Sequence, residues 1–226
     1  MSDIANDRDL SEMTAVALFA KAPVAGRVKT RLSPPLSAEE AAEVAAACLY
    51  DTLARVSRQW GVALTLFLEG KAEETLEEFA AHLKVPIVPQ SEGPLGGRLR
   101  AALGTLLDAG HPCAIAIGSD SPTLPTARIA AAAAALRVHD AVLGPAEDGG
   151  YYLIGVSRPA WALLEGIPWS TADVARATRE RAAAAKISLA ELEPWYDVDD
   201  AETLRRALAD SDPRSALGRW GSRTRT

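Results

Sequence analysis

The chain has 226 residues, 48% of them hydrophobic and 24% charged, with a formal net charge of −6. That length suits one α/β domain whose core needs no disulfide, and the acidic balance gives no sign of a nucleic-acid or membrane-surface partner. Cys48 and Cys113 are the two cysteines. They lack metal-site spacing and are expected as buried thiols in a reducing, cytoplasmic setting. No apolar run reaches the length of a membrane span, and the polar, acidic start lacks the regions of a signal peptide.

Residues 1–13 are read as a flexible N-terminus, 14–210 as one domain and 211–226 as a basic, flexible tail. The first strand is expected at Ala15 to Lys21, a continuous apolar run that suits burial on both faces. A loop rich in Pro, Gly and basic residues follows. A helix opens at Ser37, where Ser37 and Glu40 have capping-box spacing, and runs to about Gln59. Val62 to Leu68 reads as a strand, Ala72 to His82 as a surface helix and Val85 to Val88 as a short strand. A glycine turn then feeds a helix from about Gly97. Cys113 to Ile117 is the clearest central strand and ends in GSDSPTLP; an alanine helix follows from Thr126 to about Val138. Ala141 to Gly144 and Tyr151 to Val156 are strands separated by PAEDGG. Ser170 and Asp173 have the spacing of a second capping box, opening a helix that fades near Lys186. Ser188 to Val198 has strand character, and Ala201 to Leu208 reads as the last helix. Alternation of this kind predicts a mostly parallel sheet with helices on both faces, a three-layer α/β/α sandwich. Ligands bind such sheets beyond the carboxyl ends of the strands.

Unusual residues gather there. Directly after the first strand, FAKAPVAGRVKTRL places Lys21, Arg27, Lys29 and Arg31 on one loop bent by Pro23 and Gly26. Four cations so close repel one another, and a bound polyanion such as a nucleotide di- or triphosphate would relieve that cost. Pairing with surface carboxylates is the plainer alternative. The loop matches neither the Walker A pattern nor GxGxxG.

Asp120 follows the central strand, where a carboxylate needs donors, water or a metal. Asp197, Asp199 and Asp200 lie in WYDVDDAETL; Asp199 or Asp200 could simply cap the last helix. Together with Asp120, the cluster also suits Mg²⁺ (or Mn²⁺), which takes one or two carboxylates and completes its shell with phosphate and water. Glu147, Asp148, Gly149 and Gly150 fit either a substrate-facing loop or a hairpin turn. Gly97 and Arg98 stand at a helix start that could receive an anion. The three histidines offer no zinc spacing, and no GxSxG elbow supports a serine nucleophile.

FAKAPVAGRVKTRL resembles the opening signature of 2-phospholactate guanylyltransferase and its relatives. With GSDSPTLP, EDGGYYLIG, PWST and YDVDDAETL, the chain from Ala15 to Leu208 is similar to the nucleotide-diphospho-sugar transferases of glycosyltransferase-A fold, and most to a bacterial glycosyltransferase-like family. The resemblance implies that Asp120 and Asp199 bind Mg²⁺ and that Arg27, Lys29 and Arg31 contact phosphates. Lys21, Gly26, Gly97, Arg98, Ser119 and the 147–150 loop complete the expected nucleotide-facing set; Lys29, Asp120 and Asp199 are the expected catalytic residues, and Asp197 is a further candidate metal ligand. One departure stands out: the strand end reads Ser119-Asp120-Ser121 where glycosyltransferases carry Asp-x-Asp. The leading expectation is a nucleotidyltransferase joining a nucleoside triphosphate to a small anionic acceptor. A nucleotide-sugar glycosyltransferase and a non-catalytic nucleotide-binding protein are the alternatives. Oligomeric state is left open.

Overall fold

In the computed structural model, which describes residues 13–224, seven strands form one sheet. They are β1 (Thr14–Lys21), β2 (Val62–Glu69), β3 (Ile87–Pro89), β4 (Ala114–Gly118), β5 (Ala141–Pro145), β6 (Tyr151–Val156) and β7 (Leu189–Glu191). Their order is β3-β2-β1-β4-β6-β5-β7. Only β6 runs antiparallel to its neighbours. The helices are α1 (Ala38–Val56), α2 (Glu74–His82), α3 (Leu95–Asp108), α4 (Ala127–Ala135), α5 (Val174–Ala184), α6 (Ala201–Asp210) and α7 (Ala216–Arg223). The expected α/β/α sandwich is what forms.

β1 supplies both cores at once. Val16 and Leu18 enter the core with Leu49, Leu53, Leu76 and Ile129 of α1, α2 and α4. Ala15 and Ala17 face the opposite core with Leu99, Leu103 and Leu106 of α3. Ala15 pairs in register with Ala114 and Ala17 with Ala116. Methyl groups therefore floor the centre of that face, so the α3 leucines sit close to the sheet. Each fully buried leucine contributes about 1.5–3 kcal/mol over leaving it exposed. Both cysteines are free and buried, as expected.

Local signals are kept in one case and overridden in another. At α1, Glu40 N–H donates to Ser37 Oγ at 3.1 Å and Ser37 N–H to Glu40 Oε2 at 2.7 Å. The box expected at Ser170 and Asp173 does not form. Ser170 has φ 65°, and Asp173 precedes α5 without a side-chain cap. Tertiary contact takes its place: the Ala175 N–H donates to the Gly149 carbonyl at 2.9 Å, and a Cβ on Gly149 would meet the Ala172 carbonyl oxygen at 2.1 Å. The strand expected over 188–198 shortens to β7, because Pro194 offers no N–H to a ladder. The chain then continues extended, tied by Trp195 N–H to Pro145 O at 3.1 Å and Val198 N–H to Asp120 O at 2.8 Å.

The expected flexible N-terminus lies outside the described residues apart from Met13. The flexible tail expected from 211 needs correcting. Residues 216–223 are helical, and Leu217 and Trp220 join a third core with Leu32, Val44, Cys48, Tyr196 and Val198. Asp51 on α1 accepts from Ala216 N–H at 2.6 Å and Leu217 N–H at 2.9 Å, satisfying two of the orphan donors at the start of α7.

Candidate active site at the carboxyl ends of the strands

Strand order reverses between β1 and β4, so the loops after these strands border the crevice where such sheets bind ligands. Leu32, fully buried in the third core, anchors the first loop. Three residues earlier, Lys29 adopts φ 47° and ψ 36°, left-handed backbone that costs a non-glycine residue about 1–3 kcal/mol. Its side chain is only 5% exposed and its ammonium ion-pairs with Asp120 Oδ1 and, at 3.3 Å, with Asp199 Oδ1. The Asp120 side chain is 50% exposed and that of Asp199 38%. Three distant segments thus converge on one ammonium.

Asp199 and Asp200 divide two tasks that the sequence leaves open. Asp200 caps α6, accepting from Glu202 N–H at 3.0 Å and Thr203 N–H at 2.8 Å. Thr203 Oγ1 in turn accepts from Asp199 N–H at 2.9 Å. With its backbone fixed by the cap, the Asp199 side chain is released toward Lys29.

Burial pulls the Lys29 pKa down, but the carboxylates of Asp120 and Asp199 more than reverse this and hold it above the ordinary lysine value. The ammonium stays charged. Asp197 behaves in the opposite sense: burial, reinforced by the Asp120 and Asp199 charges and opposed by its Ser121 hydrogen bond, pushes it up to about 7. Ser121 Oγ donates to Asp197 Oδ1, so this side chain holds the loop after β4. Asp197, the further candidate ligand beside Asp120 and Asp199, is thus taken up by Ser121, and among the described residues no group of three or more His, Cys, Asp or Glu is placed to hold a metal.

The raised Asp197 value gives a pH prediction. The folded state binds this proton more tightly than the unfolded chain, whose reference is 3.8. Its contribution to stability is therefore complete below that reference and is lost as pH rises toward about 7. Asp197→Asn, which keeps an acceptor for Ser121 and cannot ionise, should gain stability relative to the wild type between pH 4 and pH 8. Urea denaturation of metal-free protein at both pH values reads this, and an equal difference at the two would remove the titration from Asp197.

The other expected residues are distributed around this centre. Arg31 lies 3.8 Å from Asp199 Oδ2 and is 76% exposed, a pair worth little by itself. Arg27 is exposed, and Gly26 turns the loop with φ 74°. Lys21 stands apart, 3.9 Å from Glu69. Arg98 donates to Glu69 at 2.6 Å and to Gln90 at 2.8 Å, while Gln90 Nε2 bonds the Ala20 and Phe67 carbonyls. Lys21 and Arg98 thus form a second charged group beyond β1 and β2, and Gly97 beside it is unobstructed. Ser119 N–H pairs with the Phe19 carbonyl at 3.1 Å. Glu147 takes both carboxylate oxygens to Arg206, at 2.8 and 3.1 Å, and Asp148 Oδ1 accepts from Gly150 N–H at 2.9 Å. Ser121, Thr203, Gln90 and Arg206 carry no signal of their own in the sequence. Polar partners that act across 76 or 59 positions leave no local pattern.

A family profile described as "Uncharacterized protein conserved in bacteria (DUF2064)" matches residues 52–171. The chain belongs to this family. A search of the curated proteins finds no match. Among solved structures, the DUF2064 chain is similar to a "putative nucleotide-diphospho-sugar transferase" from Desulfovibrio desulfuricans, with 29% identity, TM-score 0.82, and coverage of 94% of this chain and 95% of that one. The fold is also that of 4-diphosphocytidyl-2C-methyl-D-erythritol synthase from Anaerococcus prevotii: 13% identity, TM-score 0.60, coverage 88% and 96%. A Mycobacterium tuberculosis protein solved in complex with manganese is similar in the same way, at 19% identity, TM-score 0.53 and coverage of 88% and 100%. This DUF2064 protein thus has the nucleotide-diphospho-sugar transferase fold that its motifs resemble. The profile match runs from the last turns of α1 to the turn before α5, and so includes Asp120 but neither Lys29 nor Asp199. No helix among the described residues is long and apolar enough to cross a membrane.

Proposed function

We propose that this DUF2064 protein is a divalent-metal-dependent nucleotidyltransferase that joins a nucleoside triphosphate to a small acceptor through a phosphate or carboxylate oxygen. It is a transferase of the nucleotide-diphospho-sugar transferase type. The observation that carries the reading is the meeting of Lys29 with Asp120 and Asp199 just beyond β1 and β4.

The donor set fits Mg²⁺ or Mn²⁺. Asp120 and Asp199 reach a single cation position with hard oxygens, and both remain open to solvent, where phosphate and water complete such a shell. When bound, the metal would neutralise charge on the phosphates and polarise the reacting one. The remaining work falls to the chain. Arg27 and Arg31, exposed at the mouth, attract the triphosphate, and Lys29, its side chain only 5% exposed, supplies a permanent, preorganised charge. The acceptor oxygen is already ionised at neutral pH, so aligning it is enough and no general base is needed. It bonds to the α-phosphorus as the bond to the α–β bridging oxygen breaks, and pyrophosphate leaves. The Anaerococcus synthase and the manganese-bound mycobacterial protein support this class by analogy of fold alone.

Glycosyl transfer from a nucleotide sugar is the second reading, favoured by the description of the Desulfovibrio protein. In that case Glu147 or Asp148 would face the acceptor, and Glu147 would first have to leave Arg206. Product analysis separates the two. Incubation with each nucleoside triphosphate, Mg²⁺ or Mn²⁺ and a set of phosphorylated and carboxylated small molecules should release pyrophosphate. Nucleoside diphosphate released from nucleotide sugars, without pyrophosphate from triphosphates, would transfer the protein to the second reading. Neither product across both panels would reject both.

A further inference from the structure

Lys29 stands where the metal of the proposed reaction would stand, and any contest between the two presupposes the nucleotidyltransferase reading. The ammonium ion-pairs with Asp120 Oδ1 and with Asp199 Oδ1, the same two oxygens that face a common cation position. Among the described residues, the other cation paired with these carboxylates is Arg31, which reaches the other oxygen of Asp199, at 3.8 Å. An ammonium and a divalent ion cannot both contact one pair of oxygens without bringing three positive charges within a few ångströms of each other. One must yield.

We propose that Lys29 and the divalent metal compete for Asp120 and Asp199, and that the incoming triphosphate decides the contest by drawing Lys29 onto its phosphates. The loop is built for such an exchange. Lys29 hangs on a four-carbon stem from the loop that Gly26 turns at φ 74°, three residues from the Leu32 anchor. Phosphate oxygens offer the desolvated ammonium a replacement for the carboxylates it leaves. Metal and nucleotide then bind cooperatively, each raising the affinity of the other by the same factor. A buried lysine in the metal position would keep the carboxylates neutralised between turnovers.

The test is Mn²⁺ binding to nucleotide-free protein, followed by electron paramagnetic resonance of the free ion, together with calorimetric binding of each ribonucleoside triphosphate without metal. Lys29→Met removes the competitor, so it should bind Mn²⁺ more tightly than the wild type, by about 5- to 150-fold, the usual range of coupling between sites. The same variant should bind triphosphate more weakly. Opposite signs from one substitution are not produced by a merely structural role. Asp199→Asn, which removes an arm from both competitors, should weaken Mn²⁺ binding instead. If circular dichroism shows Lys29→Met unfolded, Lys29→Gln carries the same expectation. A folded Lys29 variant whose Mn²⁺ affinity is unchanged or lower overturns the competition. Wild-type protein that binds neither Mn²⁺ nor any triphosphate, alone or together, brings down the nucleotidyltransferase reading itself.

Discussion

Asp120→Asn is expected to lower transfer by about 10²- to 10³-fold, the usual cost of one preorganised charge-stabilising contact, with little change in stability. The substitution keeps the volume of the side chain and removes only its charge. The Asp120 carbonyl that holds Val198 N–H at 2.8 Å is backbone and survives, so the segment carrying Asp197 and Asp199 stays in place. Lys29 retains Asp199 at 3.3 Å and is not left as an uncompensated buried charge, which is what makes breaking such pairs destabilising. Steady-state pyrophosphate release and a urea melt, measured side by side, read the two halves. A variant within threefold of wild-type activity would remove Asp120 from the chemistry. A protein that only senses nucleotide would instead keep its biological output in this variant.

The sheet and its layers are legible in the sequence because the signals are dense and local. β1 and β4 are continuous apolar runs, and α1 carries its own capping box. The site is legible as a set of loops, since cations after β1 and carboxylates after β4 and before α6 all lie at strand or helix ends. Asp199 and Asp200 cannot be told apart by sequence. Both are acceptors placed to cap α6, and the choice falls to Thr203, whose hydroxyl takes the Asp199 N–H while Asp200 takes the helix. Asp197 reads with them as a ligand, yet its partner Ser121 lies 76 positions away, and so does the reason for its burial. At Ser170, a local capping pattern loses to a contact between Gly149 and Ala172. The consistent lesson is physical. Hydrophobic periodicity and caps act within a few residues, whereas the partners of buried polar groups are chosen by the sheet.

Trp220→Ala is expected to destabilise the protein by about 3–5 kcal/mol, the range for truncating a buried large aromatic; at about 2–4 °C per kcal/mol for a domain of this size, the melting temperature should fall visibly. The C-terminal segment reads as a basic tail because the large apolar side chains on its buried face are Leu217 and Trp220. The rest of that face is glycine: a Cβ on Gly218 would meet the Asp212 carbonyl oxygen at 2.3 Å, and one on Gly221 the Leu208 Cδ2 at 2.4 Å. Residues that look like helix breakers are there so that α7 can lie against the 212–213 turn and α6. Trp220 Nε1 also donates to Glu43 at 3.0 Å, and the Asp51 cap adds two charge-assisted bonds from α1. The consequence reaches the candidate site, because Leu32, Tyr196 and Val198 share this core with Trp220. They flank Lys29 on one side and Asp197 and Asp199 on the other. Nucleotide affinity should therefore fall together with stability, and Asp51→Ala should show the same pair of effects on a smaller scale, about 0.5–2 kcal/mol for a lost cap. A loss below about 1 kcal/mol in Trp220→Ala, far under the range for a buried aromatic, would return α7 to the surface and cut this link between the C-terminal helix and the phosphate loop.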